Sequence, residues 1–91
     1  MPDFMALALQ QAEAAAKRGE VPVGAVLVDA AGVVLAAAGN RTEELADPTA
    51  HAEMLVIRAA GAARKSPRLT DCDLYVTLEP CAMCAAAISF A

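Results

Sequence analysis

The sequence lacks several features that would place it in particular classes of protein. No apolar run approaches the ~20 residues that a membrane-spanning helix requires. The first ten residues, MPDFMALALQ, contain an acid and no basic residue, so we expect no signal peptide and a cytoplasmic location. Basic residues are scarce, with 7 Lys and Arg against 11 Asp and Glu and a net charge of −4. Because phosphate-binding surfaces are normally basic, this total does not favour nucleic-acid binding, although it leaves room for a local basic patch.

Cysteine and histidine are also few, but their positions are informative. The chain has three cysteines and one histidine. An odd number of cysteines in a chain expected to be cytoplasmic disfavours disulfides, since thiols are kept reduced there. Cys81 and Cys84 form a CxxC pair, a spacing that in such a protein is usually metal-binding or redox-active. Cys72 lies outside any motif, and we expect it to be an ordinary small residue.

The 91 residues, 58% of them hydrophobic, suit one small folded domain. Hydrophobic periodicity and turn residues predict six elements in the order αββαβα. A β-α-β crossover through the second helix indicates an α/β sandwich, in which we expect the first and third strands to run parallel. The predicted elements are a helix over 3–18, strands over 21–28 and 33–38, a helix that begins at Thr49 and fades at Arg64, a strand over 73–79, and a helix over 81–90.

The predicted helices have recognisable ends and apolar faces. Asp3 is the expected N-cap of the first helix and Gly19 the residue that follows its C-cap. Thr49 is the expected N-cap of the second helix, and Pro80 the first residue of the third. The expected buried stripes are Met5, Leu9, Ala12 and Ala16 in the first helix, and Ala52, Leu55, Val56, Ala59 and Ala63 in the second.

The CxxC pair has a partner motif, HAE at 51–53, at the start of the second helix. Both motifs open helices, and we expect both helix N-termini at one edge of the sheet, where ligands bind in open α/β folds. Cys81 and Cys84 share a helical face, and the positive end of the helix dipole favours thiolate over thiol. One imidazole and two thiolates suit Zn²⁺, so the predicted ligands are His51, Cys81 and Cys84. Three protein ligands leave the fourth tetrahedral position open, as in catalytic zinc sites.

Glu53 lies two residues after His51 and is the candidate proton shuttle for a hydrolytic reaction at such a site. On a regular helix, residues i and i+2 face different directions. The assignment therefore requires both residues to lie in the first turn of the helix, with the glutamate side chain reaching past the metal. This is a geometric condition that the structure can test.

Simpler interpretations exist for the same residues. A lone histidine is usually a surface or core residue, and a lone CxxC can be half of a structural zinc knuckle or a redox pair. The sequence has no second CxxC to close a four-cysteine site, and a redox pair would leave HAE unexplained. We expect Glu79 to have a positional or capping role and Asp47 to initiate a turn. The arginines and lysines are expected on solvated faces, with Arg41 best placed for an RNA contact.

HAE followed by PCxxC is the signature of the zinc-dependent cytidine deaminase-like superfamily, which the chain resembles over essentially its whole length. Within that superfamily, EVPVGAVLV, DPTAHAEM and LYVTLEPCAMCAAAISFA are similar to the tRNA-specific adenosine deaminases, as is the Asn-Arg before DPTAHAE. The resemblance implies a three-layer α/β/α sandwich and hydrolytic conversion of adenosine to inosine at the wobble position of a tRNA anticodon. It also implies a homodimer and an anticodon stem-loop as partner. The residue roles it implies are zinc binding for His51, Cys81 and Cys84, proton transfer for Glu53, a hydrogen bond to the purine for Asn40, and lining of the base pocket for Val21.

We expect the 91 residues to form a single deaminase domain, with the family's C-terminal strands and helices absent. The strand over 74–78 would then be an exposed sheet edge. Two alternatives to tRNA editing stay open. The first is a small-molecule guanine or cytosine deaminase with the same chemistry, and the second is a zinc-binding fragment without turnover.

Overall fold

The computed structural model describes residues 3–91 and confirms the predicted order of elements, αββαβα. The first and third strands are shorter than predicted, because the residues before Gly24 and after Val76 leave the sheet, and the second is shifted by one residue. The elements are α1 (Phe4–Lys17), β1 (Gly24–Val28), β2 (Val34–Gly39), α2 (Ala52–Arg64), β3 (Asp73–Val76) and α3 (Ala82–Phe90).

The three strands form one sheet in the order β2-β1-β3, and both neighbours of β1 are antiparallel to it. Ala25 of β1 pairs with Ala38 on one side and with Val76 on the other. The prediction that the first and third strands run parallel is therefore wrong. The hairpin from β1 to β2 reverses the chain direction, and the crossover through α2 connects β2 to β3, which run in the same direction on either side of β1. Consequently α2 and α3 still begin at the same edge of the sheet.

Helices cover both faces of the sheet, so the predicted three-layer α/β/α sandwich is confirmed. Val26 and Val28 of β1 pack against Ala8 of α1 on one face. Ala25 and Leu27 of β1 face the other way and pack against α2. α3 contacts α2 on that second side. Every residue of β1 is buried, as an uninterrupted apolar strand between two helical layers requires.

The buried face of α1 differs from the predicted stripe. Its buried residues are Ala8, Ala12 and Ala15, whereas Met5 and Leu9 are 40% and 52% exposed and Ala16 is also exposed. The cause is two glycines that pair across β1 and β2, Gly24 and Gly39. A methyl group on Gly24 would overlap the Ala8 carbonyl, and one on Gly39 would lie 2.5 Å from the Gln11 carbonyl. The helix backbone thus lies directly on the sheet, and only alanines fit between them.

The predicted buried stripe of α2 is partly wrong as well. Ala52 and Val56 are buried as expected, and Leu55 is half-buried. The third buried alanine is Ala60, while Ala59 and Ala63 are exposed. A spacing of four along the helix places Ala52, Val56 and Ala60 on the side that packs against β1.

Two of the predicted helix ends are confirmed and two are wrong. Asp3 caps α1 by accepting a hydrogen bond from the Ala6 amide at 3.0 Å, and Gly19 follows the C-cap with φ +82°, as predicted. Thr49 is not the N-cap of α2, because its amide and hydroxyl both donate to Asp47, at 2.8 and 2.7 Å. Pro80 lies before the N-cap of α3 and not at its first position.

Within residues 3–91, no helix combines the length and apolar character needed to cross a membrane.

Candidate metal centre

The predicted ligands meet because the N-cap residues of α2 and α3 are His51 and Cys81. Both have extended backbone angles, with φ/ψ of −74°/152° and −70°/173°. The His51 side chain makes no capping hydrogen bond to its own helix in the described structure. The N-terminal amide of α2 is satisfied by Asn40, whose Oδ1 accepts from the Ala52 amide at 2.8 Å. His51 is therefore at a helix terminus with its imidazole free for another partner.

His51, Cys81 and Cys84 form a cluster whose ligand atoms all lie within 4.8 Å of one another. His51 Nδ1 is 3.7 Å from Cys81 Sγ and 3.5 Å from Cys84 Sγ. In a tetrahedral centre with Zn–N and Zn–S bonds of about 2.0 and 2.3 Å, the nitrogen and sulfur ligands are about 3.5 Å apart. The cluster has the donor set and the spacing of a zinc site with one open position.

The two cysteines of the cluster have different electrostatic surroundings. Cys81 is exposed, and the Cys84 amide at the start of α3 lowers the pKa of the Cys81 thiol. Cys84 is fully buried, and burial raises its pKa to about 12. A divalent cation that binds Cys84 therefore replaces a proton.

Glu53 lies in the first turn of α2, which is the first part of the geometric condition set by its spacing from His51. It is the second residue of α2, and His51 is the non-helical N-cap, so the divergence of i and i+2 on a regular helix does not apply. The Glu53 side chain is only 4% exposed, and its Oε1 atom has no hydrogen-bond partner within residues 3–91. A buried carboxylate oxygen without a partner is costly, which is expected where a group acts on a ligand.

A cavity of about 240 Å³ opens beside the cluster. The residues predicted for the base, Val21 and Asn40, line the same cavity as His51 and Glu53. Asn40 is 6% exposed and Val21 59% exposed. Because Asn40 Oδ1 is bound to α2, its amide nitrogen is the group left to bind a ligand. The full lining is Val21, Val23, Asn40, Thr42, His51, Glu53, Leu78, Glu79 and Cys81.

A larger cavity of about 310 Å³ lies away from this cluster, beside α3 and β3. It is lined mainly by apolar side chains, among them Leu27, Ile57, Leu74 and Ile88, and by Cys72. It contains none of the predicted site residues. Size alone would therefore not have selected the cavity that His51, Glu53 and Cys81 line.

Two polar residues near the cavity were missed by sequence reasoning. Thr42 lines the cavity, and Glu20 is a buried carboxylate that binds the loop containing Thr42. Glu20 stands next to the apolar run at 21–28, but no spacing or motif links it to residues more than twenty positions away. Glu79 is exposed at the cavity rim, and Asp47 initiates a turn by accepting from the Thr49 amide, as expected.

Comparison with known proteins agrees with this geometry. The family model for the cytidine and deoxycytidylate deaminase zinc-binding region matches residues 2–91. A tRNA-specific adenosine deaminase of Agrobacterium fabrum is 64% identical over 88 residues, which are 97% of this chain and 57% of that protein. A solved structure from a study of A-to-I editing by tRNA:A34 deaminases at the wobble position of transfer RNA superposes with a TM-score of 0.93 at 64% identity, covering 97% of this chain and 67% of that chain.

A guanine deaminase of Bacillus subtilis superposes with a TM-score of 0.90 at 39% identity, covering 94% of this chain and 55% of that one. The chain thus spans little more than half the length of its curated relative from Agrobacterium fabrum. The family match extends over nearly the whole chain and includes the histidine, the glutamate and both cysteines of the cluster. The chain belongs to the family defined by the cytidine and deoxycytidylate deaminase zinc-binding region.

Proposed function

We propose that this chain is a zinc-dependent hydrolase that deaminates adenosine to inosine at the wobble position of a tRNA. The observation that carries the proposal is the buried, unpartnered Oε1 of Glu53 in a cavity beside the His51–Cys81–Cys84 cluster. The choice of adenosine in tRNA as the substrate is supported by the similarity to the tRNA-specific adenosine deaminase from Agrobacterium fabrum.

His51, Cys81 and Cys84 would hold the metal. When bound, Zn²⁺ would supply Lewis-acid activation of a water molecule. The Glu53 carboxylate accepts a proton from the attacking water and delivers a proton to the departing amino nitrogen. One C–O bond forms at C6 of the purine, the C–N bond to the amino group breaks, and ammonia leaves.

Recognition of the base belongs to the rest of the cavity. The Asn40 amide nitrogen is available to hydrogen-bond a purine, and Val21 offers an apolar contact to the ring. A base of a tRNA must leave its stack to enter such a pocket, which favours the unpaired anticodon loop. Arg41, the expected RNA contact, donates to both carboxylate oxygens of Glu44 at 2.8 and 2.7 Å and would have to exchange that partner for a phosphate.

The test is Glu53→Ala in the zinc-loaded chain, assayed on an anticodon stem-loop RNA. We expect zinc content at the wild-type level and turnover reduced by roughly 10² to 10⁴, since a general acid–base group is removed. The control is Glu13→Ala, which removes the same charge from the exposed side of α1. Zinc is measured by elemental mass spectrometry and inosine by chromatography of the digested RNA. Undiminished turnover in Glu53→Ala would exclude the assigned role.

Small-molecule deamination of guanine is the second candidate, favoured by the superposition on the Bacillus subtilis guanine deaminase. Free guanine, cytosine and the stem-loop RNA are assayed in parallel with the same protein. Inosine formation confined to the RNA excludes the small-molecule function for guanine and cytosine alike. Zinc binding without turnover on any substrate would leave the third candidate, a zinc-binding fragment.

We also propose that the 91 residues act as one deaminase domain in a cytoplasmic homodimer. The cysteines of the described chain are all free, which suits a reducing compartment. The dimer is supported by the resemblance to the tRNA deaminases and is tested by light scattering of the zinc-loaded chain.

A further inference from the structure

A cluster of polar contacts, here called the Glu20 clamp, ties the segment after α1 to the loop over 40–46. Glu20 is only 6% exposed, and both of its carboxylate oxygens accept hydrogen bonds from the loop. Oε2 accepts from the Glu44 amide at 2.8 Å. Oε1 accepts from the Glu43 amide at 3.1 Å and from the Thr42 hydroxyl at 3.3 Å. One carboxylate thus binds three consecutive residues that are distant from it in sequence.

Arg18, the C-cap residue of α1, holds the same loop at two further points. Its Nη2 donates to the backbone carbonyl of Asn40 at 3.1 Å, and its Nε lies 3.6 Å from the Glu44 carboxylate. The loop is therefore attached to the end of α1 at its beginning, through Arg18, and at its middle, through Glu20.

The clamped loop carries groups of the candidate site. Asn40 caps α2 at Ala52, the residue after His51, and Thr42 lines the cavity. The Arg41 amide donates to the Ala50 carbonyl at 3.0 Å, so the loop also contacts the segment that leads into α2. A displacement of 42–44 would therefore move one wall of the cavity relative to the metal cluster.

The hydrogen bonds of the Glu20 clamp are charge-assisted. Burial raises the pKa of Glu20, but hydrogen bonds from the Glu44 and Glu43 amides and the Thr42 hydroxyl outweigh that effect and bring the pKa below its ordinary value. The carboxylate is thus ionised at neutral pH, and such hydrogen bonds are stronger than neutral ones. Removing it would leave two amides and a hydroxyl of the loop without their acceptor.

We propose that Glu20 is a positioning residue for substrate binding, which acts by holding the loop that places Asn40 and Thr42 against the cavity. The proposal rests on the proposed function, because only a base-binding cavity makes this loop part of substrate recognition. Glu20 is not among the residues that line the cavity in the described structure, so it acts through the loop and not on the substrate.

The test compares Glu20→Ala and Glu20→Gln with Glu13→Ala in the zinc-loaded chain. The first readout is limited digestion with trypsin, in which cleavage at Arg41–Thr42 is measured relative to cleavage at Lys65–Ser66 at the far end of α2 in the same sample. The second readout is kcat and KM on the anticodon stem-loop RNA, with zinc content measured on the same preparations.

For Glu20→Ala we expect the relative rate of cleavage at Arg41–Thr42 to rise roughly 10-fold, because the loop opens locally. KM should also rise roughly 10-fold while kcat stays within about threefold, since the metal cluster is intact. Glu20→Gln retains one acceptor oxygen, so its relative cleavage rate and its KM should lie between those of the wild type and of Glu20→Ala. Glu13→Ala should match the wild type in both readouts.

Unchanged cleavage and unchanged KM in Glu20→Ala would overturn the proposal. So would a parallel loss of kcat and zinc, since that pattern indicates a general loss of folded structure. If the wild-type chain has no activity on the RNA, the proposed function fails, and the trypsin ratio still decides whether Glu20 clamps the loop.

Discussion

At the scale of single residues, burial separates the two cysteines of the CxxC pair. Cys81 is exposed at the N-terminus of α3, whereas Cys84 is fully buried one turn later. When it is buried, the thiolate is less stable than the neutral thiol unless a cation binds it. Cys84 is thus better suited to bind a metal ion in the interior than to act as a free thiol. Cys72, which lies outside the cluster, provides a natural comparison.

We expect Cys84→Ala to abolish stoichiometric zinc binding, because only two ligands would remain. Zinc per chain should fall to less than roughly one tenth of the wild-type value after dialysis against a weak chelator. Cys72→Ala removes a half-buried thiol that is not part of the cluster and should retain its zinc. Elemental mass spectrometry on both variants provides the measurement. Full zinc occupancy in Cys84→Ala would remove Cys84 from the ligand set.

At the scale of elements, the N-terminus of α2 is capped by a side chain from the neighbouring 40–46 loop. Asn40, at the end of β2, satisfies the Ala52 amide, so the helix that carries Glu53 is anchored to the loop near the cavity. This arrangement gives Asn40 two separable roles. Its oxygen stabilises the helix, and its amide nitrogen is available to a ligand in the cavity.

Substitutions of Asn40 should separate those roles. Asn40→Ala removes the cap and should lower the free energy of unfolding by about 0.5–2 kcal/mol. Asn40→Asp keeps a capping oxygen, since Asp and Asn are comparable N-caps, but removes the amide donor that we propose binds the purine. We therefore expect Asn40→Asp to unfold near the wild-type urea midpoint while KM for the RNA rises. Equal stability of Asn40→Ala and wild type would contradict the capping role.

The contact of α1 with the sheet is the second feature at this scale. Gly24→Ala places a methyl group against the α1 backbone at Ala8, and we expect a loss of about 1–3 kcal/mol in the free energy of unfolding. Gly61→Ala makes the same change inside α2, where the new methyl group would meet the Ser66 carbonyl at 3.2 Å and helix propensity improves. The loss in the free energy of unfolding should be clearly smaller for Gly61→Ala than for Gly24→Ala. Chemical unfolding of both variants gives the comparison, and equal losses would refute the close-approach argument.

At the scale of the whole molecule, carboxylates that accept hydrogen bonds connect different parts of the fold. Glu20 joins the end of α1 to the 40–46 loop, and Asp71, before β3, pairs with Arg64 at the end of α2. The hydrogen bonds from Arg64 lower the pKa of Asp71 from 3.8 to about 2. Asp47 also has a lowered pKa, through hydrogen bonds from Thr49. These groups make the folded state sensitive to acid.

The direction of that sensitivity follows from the lowered pKa values. A carboxyl group whose pKa is lower in the folded state stabilises the fold above its unfolded pKa, and this contribution is lost as the pH falls through the folded pKa. For Asp71 the window lies between pH 3.8 and about 2. We expect the urea midpoint to fall as the pH is lowered through this window, and to fall less in Asp71→Asn. An Asp71→Asn profile parallel to the wild-type one would exclude this contribution.

Some of these features could be predicted from the sequence and others could not. The candidate ligand set and Glu53 could be predicted because their spacing is local and few residue types suit their chemistry. The order of elements is legible because periodicity and turn residues are local signals. The direction of β3 relative to β1 was misjudged, because it depends on which strand the crossover joins, and the burial of Ala8 and Ala15 depends on glycines in other elements.

The sequence by itself determined the family, the candidate zinc donor set and the αββαβα order, since all three are carried by short motifs and by local hydrophobic periods. Only the tertiary structure decided that Asn40 caps α2, that Glu20 holds the 40–46 loop, and that His51, Glu53 and Cys81 line the smaller cavity. The hydrogen bonds of Asn40 and Glu20 join residues 12 to 24 positions apart. A hydrogen bond between distant residues has no period and no motif, so it becomes visible only when packing has brought its partners together.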